Sequence, residues 1–358
     1  MRSLLVWLVL PLAAAPPASF VEHTIASDLR GGYQVVVADL NHDGKPDLIA
    51  LASGMTDLVW FENPGWQRHV LATGQKGMIN CAVVGDEIVL ASGFSMEAKN
   101  SVGLVSVLRP GPDVTQPWTA TEIDRLPTSH RLRVVDPHGD GHPIVVNAPL
   151  TAADASGPDY RGQTPLVYYV PGEWKRHVIS TENSGVVHGI LVTEERCVLT
   201  ASFTGIHQFC MTADGIKRTE ISKGDPAPWP KGGSSDLAIG HLGKTRFLAA
   251  IEPWHGNQVV TYIDGERKII DDTILDGHTI QTADFDGDGN DEIVAGFRGQ
   301  PRSVYLYTWD AAAKKWTRTD LGKGAMGAAA CAIADLNADR RPDIACIDGT
   351  RLKWYENK

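Results

Sequence analysis

The sequence predicts an all-β fold, a seven-bladed β-propeller whose N-terminal strand closes the last blade. Three observations carry that prediction. First, an acidic hairpin recurs. It is fullest at Gly277–Gly299, where GHTIQTADFDGDGNDEIVAGFRG reads as strand, acidic turn, strand. Second, an outer-strand signature of the form W-x-R-H-V-L appears in seven copies. Four short strands repeating every 40–50 residues or so is the rhythm of propeller blades. Third, the last blade reaches Lys358 with three strands, and the missing outer strand, Phe20–Ala26, lies at the other end of the chain. Joining the two ends closes the ring and removes an exposed sheet edge.

Residues 1–19 read as a signal peptide. Arg2 supplies the positive start, Leu4–Leu12 the apolar run, and Ala13–Ser19 small residues for cleavage. The run is too short for a membrane span, and no other stretch is long and apolar enough to be one. The expectation is export to the periplasm or extracellular space, with residues 20–358 forming a single propeller. Loss of Arg2 with the leader takes the formal charge from −10 to −11. No basic stripe suggests nucleic acid.

Inner strands start near Tyr33, Met78, His130, Val186, Ser234, Gly277 and Met326. Blade one carries VVVADLNHDGKPDLIA, with Asp39, Asn41, Asp43 and Asp47 in an alternating acidic turn, and ends in WQRHVL. Blade two has a plain hairpin, VVGDEIVL, and the outer strand WTATEI. Blade three holds a worn copy, VVDPHGDGHPIVV. It keeps Asp136 and Asp140 but places His138 between them and Ile144 at the last position, so no calcium is expected there. The loop Thr151–Gln163, with Tyr160 and Arg161, interrupts that blade before WKRHVI. Blades four and five have the short turns TEERC and HLGKTR and the outer strands IKRTEI and ERKII, with an irregular segment, Lys223–Gly233, between them. Blade six carries Asp284, Asp286, Asp288 and Glu292 and ends in WTRTDL. Blade seven carries Asp335, Asn337, Asp339 and Asp343, with Arg340 where the other copies have a turn glycine. Val21–Ile25, VEHTI, is its outer strand.

The full acidic turns offer alternating oxygen ligands, the chemistry a hard cation such as calcium requires. They differ from an EF-hand loop: position twelve from Asp284 is Ala295, and the flanks alternate as strands. Because several blades lack the acids, the expected calcium is structural, stabilising individual blades. The five cysteines leave two readings open. Cys331 with Cys346, and Cys197 with Cys210, stand where cross-strand disulfides form, and Cys81 is left over. Alternatively, all five are small buried apolar residues.

The histidines sort by position. His23, His69 and His177 share one outer-strand position and are read as structural. His42, His138, His142 and His241 fall in the turns of the acidic-loop face. His207 falls on a middle strand and is read as packed. His130, His188 and His278 each begin an innermost strand, and His255 lies in the link between the second and third strands of blade five. In a propeller these positions share the face opposite the acidic turns. The four histidines are therefore expected at one mouth of the central channel, with Tyr33 and Arg298. Arg131, Trp254 and Glu252 are near candidates, and Glu252 is the rim carboxylate.

The ADLNHDGKPDLI and ADFDGDGNDEIV copies resemble FG-GAP/VCBS-type propeller repeats over essentially the whole chain after the leader. SHRLRVVD, VVHGI, EPWHGNQVV and the blade-six hairpin look like the propeller domain of the aldos-2-ulose dehydratase family. That resemblance implies elimination of water from an oxidised sugar. The chain ends after the propeller, so the further domains of fungal-type dehydratases are expected to lie outside it.

The rim residues suit β-elimination from a carbohydrate. A neutral histidine takes the proton beside a carbonyl or carboxylate. Arg298 or a bound cation stabilises the enolate. Tyr33 or a second histidine protonates the leaving oxygen. The substrate is then a small keto-sugar, as the resemblance implies, or a uronate polymer, and zinc or another divalent metal on the histidines would serve as Lewis acid. The alternative is a non-catalytic glycan- or protein-binding module, with exposed Trp229 and Trp254 stacking on sugar rings. A scaffold role is a third reading. Paired-carboxylate glycosidase chemistry has little support, since Glu252 stands alone.

Overall fold

The computed structural model describes residues 17–358, so most of the signal-peptide reading lies outside the described residues. Seven four-stranded antiparallel sheets form the ring. Blade one is β2–β5 (residues 32–72), blade two β6–β9 (80–125), blade three β10–β13 (129–184) and blade four β14–β17 (187–222). Blade five is β18–β21 (236–271) and blade six β22–β25 (277–320). Blade seven is β26 (Ala330–Ala334), β27 (Asp343–Ile347), β28 (Leu352–Asn357) and, as its outer strand, β1 (Phe20–Ala26). Phe20 pairs with Asn357 and Thr24 with Lys353. Phe20 also packs edge-on against Phe285 of blade six, at 5.5 Å between ring centroids.

The second strands are the driest, because both of their faces meet neighbouring blades. β3 (Asp47–Ala52), β11 (Ile144–Pro149) and β23 (Glu292–Phe297) are buried at every residue. Their side chains fill the spaces between blades, and outer strands such as β17 (Gly215–Ser222) are largely exposed. This gradient explains why the sequence alternates at the rim but runs apolar in the middle strands.

Inner strands of adjacent blades splay apart and are tied by side chains. Leu132 N–H donates to Asn80 (2.9 Å), Ile280 N–H to Asp236 (3.1 Å) and Cys331 N–H to Thr279 (3.2 Å). Farther out, Asp124 of blade two accepts from Tyr169 and Arg176 of blade three. Asp271 of blade five accepts in the same way from Tyr307 and Arg318 of blade six. The outer histidines stack on aromatic neighbours: His23 on Trp354, His69 on Trp60 and His177 on Tyr168. His207 is buried.

Both cross-strand disulfides are present, Cys197–Cys210 and Cys331–Cys346, each stitching adjacent strands within one blade. Cys81 is a buried free thiol, pushed up to about 12 by burial. No helix among the described residues is long and apolar enough to cross a membrane.

Candidate functional site

Three inner strands deliver the site histidines by one local device. In β10 (Ser129–Val135) the register slips between Ser129 and Arg131, so His130 has no partner on β11. The same slip leaves His188 unpaired in β14 (Val187–Val192) and His278 unpaired in β22 (Gly277–Ala283). In β2 (Gly32–Ala38) it leaves Tyr33 unpaired. The inner strands of blades two, five and seven run without a slip. A bulge breaks the two-residue alternation and re-aims one side chain, here toward the channel mouth. Close backbone packing accompanies it. A Cβ on Gly189 would stand 2.7 Å from the Ser235 carbonyl, and one on Gly32 would stand 2.2 Å from that of Asp348.

The four histidines meet at this mouth. His188 lies 4.9 Å from both His255 and His278, and 5.1 Å from His130, between ring centroids. His255 lies 5.0 Å from His278. Tyr33 stands 5.2 Å from His278, and its hydroxyl is 2.8 Å from His130 Nε2. Arg298 reaches His255 Nδ1 at 3.2 Å. Arg131 lies 3.2 Å from His130 Nε2 and its guanidinium sits 5.5 Å from the Tyr33 ring centre.

Hydrogen-bond partners constrain the protons of three of the four histidines. His188 Nδ1 faces the Ser235 carbonyl at 3.2 Å, and His278 Nδ1 faces that of Ala329 at 2.5 Å. Each therefore carries its proton on Nδ1 and presents a bare Nε2. His278 Nε2 is buried with no partner. Arg131 can only donate, so His130 Nε2 is a lone-pair nitrogen, and it accepts the Tyr33 hydroxyl proton as well. His255 has two options: its Nδ1 accepts from Arg298, or donates to Asp276 Oδ1 at 3.3 Å, which frees Nε2.

Nitrogen atoms of His188, His255 and His278 lie within 4.8 Å of one another. His188 Nε2 and His255 Nε2 are 3.3 Å apart. Two nitrogens at tetrahedral positions around zinc, each 2.0–2.1 Å from the ion, stand roughly 3.3 Å apart. The backbone carbonyls on Nδ1 and the Asp276 carboxylate supply the outer hydrogen bonds that histidine ligands use. The donor set fits a divalent metal.

Burial holds His130, His188 and His278 well below the ordinary histidine range, and nearby arginines add to the effect. Burial, then Arg298, pushes His255 down to about 4. All four are neutral at pH 7, the form that both ligation and proton abstraction need. A depressed folded-state value means that the unfolded chain binds more protons in acid. The histidine contribution to stability is thus complete above pH ~6.5 and falls as the pH drops below it, by about 1.4 kcal/mol per pH unit for each differential proton, against the opposite contribution of the raised Glu292 carboxyl. Urea titrations of chelator-treated protein between pH 7.5 and 4.5 are expected to show this decline. Replacing His130 and His278 by Gln is expected to flatten it.

Two expectations need correction. Glu252 is not a rim carboxylate: it is fully buried, accepting from Tyr262 at 2.6 Å and Arg267 at 2.8 Å beneath blade five. The rim carboxylate is Asp276, bound twice by Arg298 at 2.9 and 3.0 Å. It precedes the blade-six inner strand, and no motif flags it. Trp229 and Trp254 are half-buried rather than open platforms. Trp254 packs on His255 at 4.7 Å and on Tyr160 and Phe203, and Trp229 packs on Phe203.

The acidic turns lie on the opposite face and are closed by their own backbone. Asp39 accepts from Asp43 N–H and Gly44 N–H, while Asn41 and Asp43 cap the following residues. Both oxygens of Asp47 accept backbone N–H groups, from Leu40 and Asn63. Asp343 repeats the pattern with Leu336 and Asn357. Asp335, Asn337 and Asp339 close the blade-seven turn in the same way, and Arg340 takes the glycine's place at φ 71°. Among the described residues, only one acidic group converges as three possible ligands: Asp284, Asp286 and Glu292 in blade six, with Asp288 beside them. Glu292 Oε1 is buried without a partner, and burial, reinforced by the neighbouring aspartates, raises its carboxyl to about 8.

Comparison with known proteins gives three family matches. Residues 284–346 match an FG-GAP-like repeat, residues 31–57 an FG-GAP repeat, and residues 102–265 the β-propeller domain of aldos-2-ulose dehydratase. The curated aldos-2-ulose dehydratase of Phanerodontia chrysosporium is 24% identical over an alignment covering 71% of this chain and 33% of that protein. The chain thus spans about a third of its relative's length. Among solved structures, a streptogramin B lyase aligns over 95% of this chain and 98% of its own, at 11% identity and a TM-score of 0.64. The WD40 propeller of Doa1 aligns over 94% and 97%, at 12% identity and 0.59. These two likenesses concern the fold alone.

Proposed function

We propose that this propeller, which carries FG-GAP-like repeats and is related to the propeller domain of aldos-2-ulose dehydratase, is a carbon–oxygen lyase. It acts by β-elimination on a carbohydrate bound at the histidine mouth. The observation that carries the reading is the convergence of Tyr33, His130, His188, His255, His278 and Arg298, four of them delivered by inner-strand bulges. Relatedness to a sugar dehydratase supports the reaction class.

In this mechanism the carbon beside the substrate's carbonyl or carboxylate gives its proton to the Tyr33–His130 pair. The C–H electron pair forms the C=C bond, and the β C–O bond breaks with its electrons on oxygen. That oxygen takes a proton from the same pair, so base and acid are regenerated together. Arg298 and Arg131 stabilise the enolate charge as it develops. A divalent metal on His188, His255 and His278 would supply Lewis-acid polarisation of the substrate oxygen. Asp276 orients both Arg298 and His255.

Zinc or a similar divalent ion is assigned to the three histidines, and calcium to Asp284, Asp286 and Glu292. Elemental analysis of dialysed protein tests both. His278→Ala is expected to lose the transition metal and keep calcium, and Glu292→Gln is expected to do the reverse. Retention of the transition metal by both His188→Ala and His278→Ala would remove it from this site. The N-terminal segment, read from its sequence as a leader, and the two disulfides support a location outside the cytoplasm.

One rival is a non-catalytic glycan-binding module, with the ligand in the cleft that Trp254 and Lys231 line. Incubating the protein with keto-sugars and uronates while following ultraviolet absorbance of unsaturated products separates the two. Binding with no product would favour the module.

A further inference from the structure

Two clefts open from the histidine mouth. The larger, about 620 Å³, lies toward blades one and seven and is lined by Tyr33, Arg298, Arg302, Asp348, Arg351 and a series of glycines. The other, about 410 Å³, lies toward blades four and five and is lined by Trp254, Phe203, three prolines, His255, Asp276 and Lys231. Arg298 lines the first and its ion-pair partner Asp276 the second, so this pair joins the two linings. Each cleft is in the size range of a complete small-molecule site. A single sugar bound over Tyr33 would leave most of one cleft empty.

The charges in the two clefts are uneven. Four cations and two carboxylates line them. Both carboxylates are already bound by arginine, Asp276 by Arg298 and Asp348 by Arg351 at 2.5 and 3.0 Å. Arg302 and Lys231 are exposed and have no carboxylate within salt-bridge distance among the described residues. One unpaired cation thus stands in each cleft, on a chain of net charge −10. At the centre, Arg131 is 4% exposed and pairs with histidine instead of a carboxylate.

We propose that the substrate is an acidic oligosaccharide laid across both clefts, with the residue to be eliminated over Tyr33. One carboxylate meets Arg302, and another meets Lys231 in the cleft whose edge Trp254 lines. The inference rests on the elimination reading and selects a uronate chain over a small keto-sugar. For such a chain, C5 beside the carboxylate gives up its proton, and the glycosidic C4–O bond breaks. The products are a 4,5-unsaturated uronide and a shortened chain bearing the protonated oxygen.

Calorimetric titration of the metal-loaded protein with oligogalacturonate, its methyl ester and monomeric galacturonate tests the proposal, with absorbance of unsaturated product read in parallel. The free acid oligomer is expected to bind best, and its affinity should weaken with salt. Arg302→Ala and Lys231→Ala should each weaken it roughly tenfold or more, with Arg302→Lys largely restored. Trp254→Ala should weaken the oligomer and spare the monomer. Equal binding of ester and acid, or turnover of a neutral keto-sugar unchanged by Arg302→Ala and Lys231→Ala, overturns the acidic-oligosaccharide site and leaves the elimination reading standing. Charge-dependent oligomer binding without product keeps the two-cleft site and retires elimination.

Discussion

On the proposed elimination, Tyr33→Phe is expected to lower the rate by roughly 10²–10⁴-fold, the range for loss of a positioned general acid–base group. The change removes one hydroxyl, whose only side-chain hydrogen bond among the described residues is the 2.8 Å contact to His130 Nε2. The ring keeps its packing against His278, so the fold and the metal content should hold. Steady-state kinetics on the best substrate of the panel checks it, alongside circular dichroism and elemental analysis. A rate within threefold of wild type would remove Tyr33 from the chemistry. His130→Ala should act on the same proton, so the double variant should be little worse than either single one. An additive loss would show two independent groups instead.

Removing β1, residues 20–26, has the largest expected effect on stability. The deletion strips the outer strand from blade seven, breaking six residue pairings with β28. It also removes the Phe20–Phe285 contact and leaves Lys353, 4% exposed in the intact ring, without its Glu22 partner at 2.6 Å. At about 1 kcal/mol per hydrogen bond, with an unpaired buried charge costing more, the loss is at least several kcal/mol. The newly bared β28 edge invites pairing with another chain. Size-exclusion chromatography and thermal melts of the truncated protein should show aggregation and a marked drop in the midpoint. Supplying Phe20–Ala26 as a separate peptide should restore part of the loss.

The repeats made the ring legible. Acidic turns and outer-strand signatures recur in register, so blade number, strand order and closure by Phe20–Ala26 follow from counting. The face on which His130, His188, His255 and His278 lie also follows, because a propeller's turns alternate faces. Their mutual contact does not follow from strand order. It depends on a bulge at each of Tyr33, His130, His188 and His278, and a bulge is a slip against the partner strand that a single strand's residues do not display. Asp276 was missed for a related reason: it is an ordinary loop aspartate until the fold brings Arg298 and His255 to it. Glu252 was misplaced because it ends β19 (Thr245–Glu252), next to the Trp254–His255 link, and strand position alone does not reveal that Tyr262 and Arg267 hold it inward. In the acidic turns, Asp47 and Asp343 spend both oxygens on backbone N–H groups. The blade-six turn makes the same backbone bonds to Asp284, Asp286 and Asp288 and differs in the unpartnered Oε1 of Glu292.

The ring's closure also orders events in time. Glu22 and its partner Lys353 are 331 residues apart. At about 5–20 residues per second, the first strand waits roughly 15–70 s after synthesis before its partner exists. Blades one to six can form in turn as the chain lengthens, each from local hairpins. The seventh cannot, because its edge was made first and its other three strands last. During that interval the growing arc has an open side, and its final geometry, including the approach of Tyr33 to His278, is unset. The rim residues all lie on blades one to six, and the approach of Tyr33 to His278 across the gap between blades one and six is set only when β28 has met β1.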